Sequence, residues 1–255
     1  MSDFEQQMRE YLPRFQSTLA TDVGDWVVKG FIDTHHNIYT ISGDTKVISK
    51  LIELMLFPLF NQFAKEYNYQ LHLTEHQNYY PDITFIAEDG TKIAIDLKST
   101  YRTNKTTVSG FTLGAFTGYF RQRNSTKNIS FPYQDYNQHY VLGIIYSRSM
   151  IEIDERKIYT LADLKNIESV AHDFMFLLQE KWKLATDRPG SGNTKNIGSV
   201  NNIVDLVNGK GVFSPHGKQV FDDYWMNYLT IDMARKIDSV VPYTNLKSYW
   251  QWRNR

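Results

Sequence analysis

The sequence predicts an α/β fold, a central β-sheet with helices packed beside it, and three stretches carry that prediction. Behind Asp44, a residue suited to an N-cap, Val47, Ile48, Leu51, Ile52, Leu54 and Met55 recur at helical spacing and predict a helix to about Tyr67. Residues 80–100 read as a β-hairpin, with Ile83–Ala87 and Lys92–Lys98 as its strands and Glu88-Asp89-Gly90 as turn chemistry. Tyr-Val-Leu-Gly-Ile-Ile-Tyr at 140–146 is an unbroken apolar run, as expected of a strand buried on both faces. A chain of 255 residues is long enough to bury such a core.

The remaining elements follow in order. Phe4, Met8, Tyr11, Leu12 and Phe15 predict an amphipathic helix over residues 1–20. Residues 26–41 alternate and suggest a short hairpin, turning at His36-Asn37; that pair is read as turn chemistry rather than as a histidine–asparagine nuclease motif. Pro58 is expected to kink or divide the helix that follows. Residues 110–124, rich in glycine and aromatics, suggest a helix ending near Arg121–Lys127. Phe174–Leu178 is a second buried strand, and residues 221–235 an amphipathic helix. There are no internal repeats, and a single domain over 1–255 is expected.

Alternation on the second hairpin strand sends Ile93, Ile95 and Leu97 to one face and Ala94, Asp96 and Lys98 to the other. Where Asp82 points depends on the turn. A two-residue loop would set Asp82 opposite Leu97; a three-residue loop with Gly90 left-handed would set it opposite Asp96. The second arrangement gathers Asp82, Asp96 and Lys98. Two carboxylates can hold a hard divalent cation, and an adjacent ammonium can orient or polarise a water.

Composition narrows the class. With 42% hydrophobic and 15% aromatic residues the chain is globular, and no apolar run is expected to reach the roughly 20 residues of a membrane span. The start, Met-Ser-Asp-Phe-Glu-Gln-Gln, lacks the basic and apolar regions of a signal peptide. The absence of cysteine excludes disulfides, thiolate nucleophiles and zinc–thiolate sites and fits a reducing cytosol. Twenty-eight basic and 28 acidic residues cancel, which argues against nonspecific coating of nucleic acid. The charges are nevertheless segregated. Residues 99–134 contain no acid but include Arg102, Lys105, Arg121, Arg123 and Lys127, and the aromatic-rich tail after Ser239 adds Lys247, Arg253 and Arg255. A neutral protein with a cationic groove would show this pattern.

Asp187-Arg-Pro-Gly-Ser-Gly-Asn-Thr-Lys-Asn-Ile-Gly-Ser199 has the composition of a flexible loop. Its spacing excludes a Walker phosphate loop. It does offer exposed backbone groups and the side chains of Asn193, Thr194 and Lys195, which suit the reading of base edges.

Taken together these residues resemble the EcoRV family of type II restriction endonucleases, within the PD-(D/E)xK nuclease superfamily. The superfamily signature is Pro81-Asp82 with Asp96-Leu97-Lys98. Closer matches run in order through Gly43-Asp-Thr-Lys-Val, Gln77-Asn78, Lys92-Ile-Ala-Ile-Asp96, Phe111-Thr-Leu-Gly114, Ser125-Thr-Lys-Asn-Ile129, Gly190-Ser-Gly-Asn-Thr194, Asn196-Ile-Gly-Ser199 and Asp223-Tyr-Trp225. The resemblance implies a restriction-endonuclease-like central mixed β-sheet flanked by helices, in a homodimer clamping double-stranded DNA. It implies residues 1–42 in dimerisation and residues 185–255 in DNA recognition. By the same resemblance Asp82 and Asp96 would bind Mg²⁺, Lys98 would orient water or stabilise charge, and Glu53 would serve a further metal position. Gly190, Gly192, Asn193 and Thr194 would read bases from the major groove, and Gln77 and Asn78 would approach the minor groove. Lys46, Lys127 and Lys195 would contact the DNA backbone, although the family pattern has threonine in place of Lys195. The implied reaction is Mg²⁺-dependent cleavage of both strands of a short palindrome, GATATC or a close variant, with blunt ends. The implied setting is the bacterial cytoplasm, with a DNA methyltransferase in the same system but not as a physical partner. A repair or recombination nuclease reading DNA structure, or an inactive DNA-binding relative, are the other readings.

Overall fold

The computed structural model describes residues 3–74, 76, 78–150, 154–190 and 195–254. In chain order the elements begin with helix α1 (Asp3–Leu19), strands β1 (Gly30–Ile32) and β2 (Ile38–Thr40), helix α2 (Thr45–Glu66) and strand β3 (Gln70–Leu73). Strands β4 (Ile83–Ile86), β5 (Lys92–Tyr101), β6 (Thr112–Ala115), β7 (Tyr136–Arg148), β8 (Ile158–Tyr159) and β9 (Ala171–Glu180) follow. The short helix α3 (Lys181–Leu184) leads to strands β10 (Ala185–Pro189) and β11 (Asn196–Ser199). Helices α4 (Ile203–Val207), α5 (Lys218–Asn227), α6 (Ile231–Lys236) and α7 (Leu246–Arg253) close the chain. The central mixed sheet has the order β3-β4-β5-β7-β9 and is flanked by helices, as expected. The fully apolar strand β7 lies inside it.

By backbone contacts the chain forms two units, one of Met1–Asn68, Ser99–Ser109 and Gly143–Leu177, the other of Tyr69–Lys98, Gly110–Leu142 and Leu178–Arg255. In the first, Phe4, Tyr11 and Phe15 of α1 meet Phe60 and Phe63 of α2 in edge-on and tilted ring pairs. Asp44 caps α2 as expected, its carboxylate accepting from the N–H groups of Lys46 and Val47 at 2.7 and 3.2 Å. Pro58 does not divide the helix. The carbonyl it leaves without a donor is that of Leu54, a residue 51% exposed, so water can satisfy it. Contrary to the composition-based expectation, α2 has the length and apolarity to cross a membrane. Here it packs on α1 as a core helix. The hairpin of β1 and β2 turns at His36, whose φ is 64°, while the Asp33 carboxylate accepts from the N–H groups of His35 and Asn37.

In the second unit, β10, β11 and β6 form an antiparallel three-stranded sheet. It corrects two expectations. Residues 110–124 form β6 and a 3₁₀ turn at Gly118–Phe120 instead of a helix, because β6 pairs with β11, a partner some eighty residues away. The stretch 187–199 is a hairpin over its described residues: Gly190 N–H donates to Asn196 O at 2.9 Å, and Tyr224 Oη donates to Asp187 O at 2.7 Å. The expected helix over 221–235 is interrupted at 228–230. Tyr228 buries its ring against Phe116 and Trp225, and Thr230 opens α6 by accepting from Met233 N–H.

The hairpin of β4 and β5 takes the register that sets Asp82 opposite Asp96. Ile83 faces Ile95, Phe85 faces Ile93, and Ile86 faces Lys92. Ala87 N–H donates to Thr91 O and Gly90 N–H to Ala87 O, both at 2.9 Å, so the loop is Glu88-Asp89-Gly90. Gly90 has φ +83°, a conformation that costs other residues roughly 1–2 kcal/mol. Gly90→Ala is therefore expected to lower stability by about 1–2 kcal/mol. Urea denaturation would show this as a lower midpoint at unchanged slope.

Candidate functional site

Asp82 leaves the bend before β4 and Asp96 sits in mid-β5, so one hairpin carries both carboxylates. The hairpin's polar face is not a solvated one. Thr84 is buried and bonded to the Tyr136 hydroxyl at 3.0 Å, Ala94 is buried, and Asp96 is 4% exposed. Asp82 Oδ2 accepts from Leu97 N–H at 2.7 Å. Lys98 Nζ lies 2.8 Å from Asp96 Oδ1, 3.2 Å from Leu97 O and 3.8 Å from Asp82 Oδ2. Two carboxylates therefore share one direct ammonium. Desolvation raises the Asp82 pKa from 3.8 to about 7, against the pull of Lys98 and with the neighbouring Asp96 charge adding to the rise. The second oxygen of Asp96 is buried and accepts no hydrogen bond among the described residues. Hard oxygen donors, one without a partner and one held at a raised pKa, suit a divalent cation.

These groups line a cleft of about 740 Å³. Asn78, Lys127 and Asn196 also line it, together with residues not singled out in the sequence: Thr112, Gly114, Thr117, Tyr119 and Gln122. Only the Phe111–Gly114 match pointed towards these. Asn78 and Lys127 are exposed, consistent with groups that face a ligand. Lys195 is exposed too, while its carbonyl accepts from Phe116 N–H at 2.9 Å. Gly190 ends the β10 side of the hairpin. Gln77, Gly192, Asn193 and Thr194 lie outside the described residues.

Two expected residues belong to the other unit. Lys46 is exposed in the first turn of α2. Glu53 lies two turns further along, paired with Lys50 at 2.8 Å. Among the described residues no group of three metal-ligating side chains gathers.

The cationic groove inferred from composition is thinner than the count of bases suggested. Arg102 donates to Ser147 Oγ and Asp173 O, Arg121 to Phe116 O and Tyr228 O, and Arg123 pairs with Asp222 at 3.1 Å. In the tail, Tyr243 and Tyr249 are core, their rings tilted and edge-on against Tyr224, and Arg253 pairs with Asp223. Of the bases in the acid-free stretch, Lys105 and Lys127 are the exposed ones, and Lys127 faces the cleft.

Comparison with known proteins agrees with the geometry. The family model for restriction endonuclease EcoRV matches residues 22–254. The type II restriction enzyme EcoRV of Escherichia coli is 37% identical over 228 residues, covering 88% of this chain and 90% of that enzyme. The chain belongs to the EcoRV family of restriction endonucleases and is a type II site-specific deoxyribonuclease, a DNA-binding hydrolase.

Proposed function

We propose that this enzyme is a Mg²⁺-dependent homodimer that hydrolyses one phosphodiester bond in each strand of a short palindrome, GATATC or a close variant, leaving blunt ends. The observation that carries this reading is the juxtaposition of Asp82, Asp96 and Lys98 in one cleft by the register of β4 on β5. Asp82 and Asp96 would hold the ion, which when bound supplies Lewis-acid charge and a more acidic water. Lys98, already directed at both carboxylates, orients the attacking water or stabilises the phosphoryl oxygens as negative charge develops. Glu53 is assigned a further metal position.

Recognition is assigned to the two loops. Gly190, Gly192, Asn193 and Thr194 at the tip between β10 and β11 read base edges, and Gln77 and Asn78 approach the minor groove. Lys46, Lys127 and Lys195 hold phosphates, which set position without carrying sequence information. A palindrome read by one loop per subunit implies two-fold symmetry. An apolar surface supports the dimer: Phe31, Tyr39 and Ile158 share one face of the sheet of β1, β2 and β8 and are 40–56% exposed. Residues 1–42 would thus serve dimerisation and 185–255 recognition, within one nuclease acting in the bacterial cytoplasm beside a separate methyltransferase.

Asp96→Ala is expected to slow Mg²⁺-dependent cleavage by at least about 10³-fold, several kcal/mol of lost charge stabilisation. Specific binding in Ca²⁺ should survive; plasmid digestion and gel shift measure the two, and cleavage at the normal rate would refute the assignment. Asn193→Ala should cut its site about 100-fold more slowly with an unchanged circular dichroism spectrum, as loss of a bidentate base contact predicts. Because the folded-state pKa of Asp82 is raised, the unfolded chain ionises first, and metal-free stability should fall as pH rises from about 4 through about 7. Asp82→Asn removes that slope. At pH 8 without metal it should melt higher than the parent, by about 2–4 °C per kcal/mol recovered.

A further inference from the structure

We propose that Lys181 is a positioning residue of the nuclease centre: its buried ammonium, packed on the Tyr80 ring behind Gly114, supplies a second positive charge facing Asp96 and steadies the segment leading to Asp82. The proposal rests on the reading of Asp82 and Asp96 as that centre.

Lys181 is 1% exposed, and among the described residues its Nζ finds no hydrogen-bond acceptor. Burying an unpaired ammonium is costly, and an apolar side chain of similar volume is usually neutral or better in such a place. A residue that breaks the local rule in this way points to function more than to packing. Its position agrees. Nζ lies 4.8 Å from the Tyr80 ring centroid, with the Phe120 and Tyr133 rings at 5.8 and 6.0 Å. Gly114, in the cleft wall, has φ +85°, and a Cβ there would come within 3.3 Å of Nζ. Glycine thus lets the ammonium lie directly behind the wall, shielded from water yet close enough to act on the cleft. Burial pushes its pKa down to about 8, with Asp96 the strongest charge opposing that shift and Asp222 a weaker one, while Lys98 and Arg123 add to the lowering.

Lys98 thus contacts Asp96 directly, while Lys181 faces the same carboxylate's charge without contact. In a low-dielectric site a charge without direct contact still counts, and the unpartnered Asp96 oxygen is the group it favours. Tyr80 ties this charge to geometry. Its hydroxyl bonds His139 Nδ1 at 2.9 Å, its ring stacks on Tyr119 at 5.2 Å, and its backbone exchanges hydrogen bonds with Asn128 O and Ser130 N–H. Two residues later comes Asp82.

The test uses the full-length protein and a plasmid carrying the site it cuts, with single-turnover cleavage in Mg²⁺, specific binding in Ca²⁺ and thermal melting measured in parallel. Lys181→Met keeps the shape and loses the charge; cleavage should fall about 10- to 100-fold, the usual effect of a supporting residue, with affinity within threefold and melting unchanged or higher. Lys181→Ala should be equally slow and regain rate with added propylammonium but not with propanol. Cleavage by Lys181→Met within twofold of the parent would overturn the proposal. So would a parallel loss of affinity and melting temperature, or equal rescue by propanol, since either would mark a packing role. If the unaltered protein failed to cut DNA at all, the nuclease reading itself would fall.

Discussion

The pairing of Ala87 with Thr91 across a three-residue turn is the constraint on which the site depends. Side chains alternate along a strand, so a slip of one residue would send Asp82 to the opposite face and leave Asp96 without its neighbour. The register does not rest on the turn alone. Ile83, Phe85, Ile93 and Ile95 are all buried on the same side, and Phe85 packs edge-on against Tyr69. On the other side Thr84 and Ala94 are buried as well. With both faces enclosed, a shifted register would bury acids among aliphatic side chains and expose isoleucines, so core packing and site geometry select the same pairing.

What was legible in the sequence was what local spacing encodes. Helices α1 and α2, the hairpin at His36, strand β7 and the alternation of β5 follow from periodicity and capping within a dozen residues. Asp96 and Lys98 were readable together because they are two apart on one strand. Features set by distant partners were not readable. Strand β6 exists because β11 lies beside it, and the break between α5 and α6 exists because Tyr228 has aromatic neighbours to meet. The same holds for charge. Counting bases in 99–134 could not reveal that Arg123 finds Asp222, 99 positions away, or that Arg102 is spent on the carbonyl of Asp173. Nor could Lys181 be told from a surface lysine, since its neighbours in sequence, Glu180 and Trp182, give no sign of the aromatic slot it enters.

The site is assembled against its own electrostatics, and the fold shows how. Asp82 is held near Asp96 by a hydrogen bond from the backbone of the facing strand, Leu97 N–H. Burial, with the Asp96 charge adding to it, raises the pKa of Asp82, and one oxygen of Asp96 has no hydrogen-bond partner among the described residues. A hairpin enclosed on both faces can sustain such a cost because its stability comes from the surrounding apolar core. A cation binding the folded carboxylates and not the unfolded chain must then stabilise the fold by mass action. For a cation so bound, affinity and local stability would be two readings of one interaction, and a substitution that removes the buried Asp82 carboxylate would gain stability only by removing a group proposed to hold it.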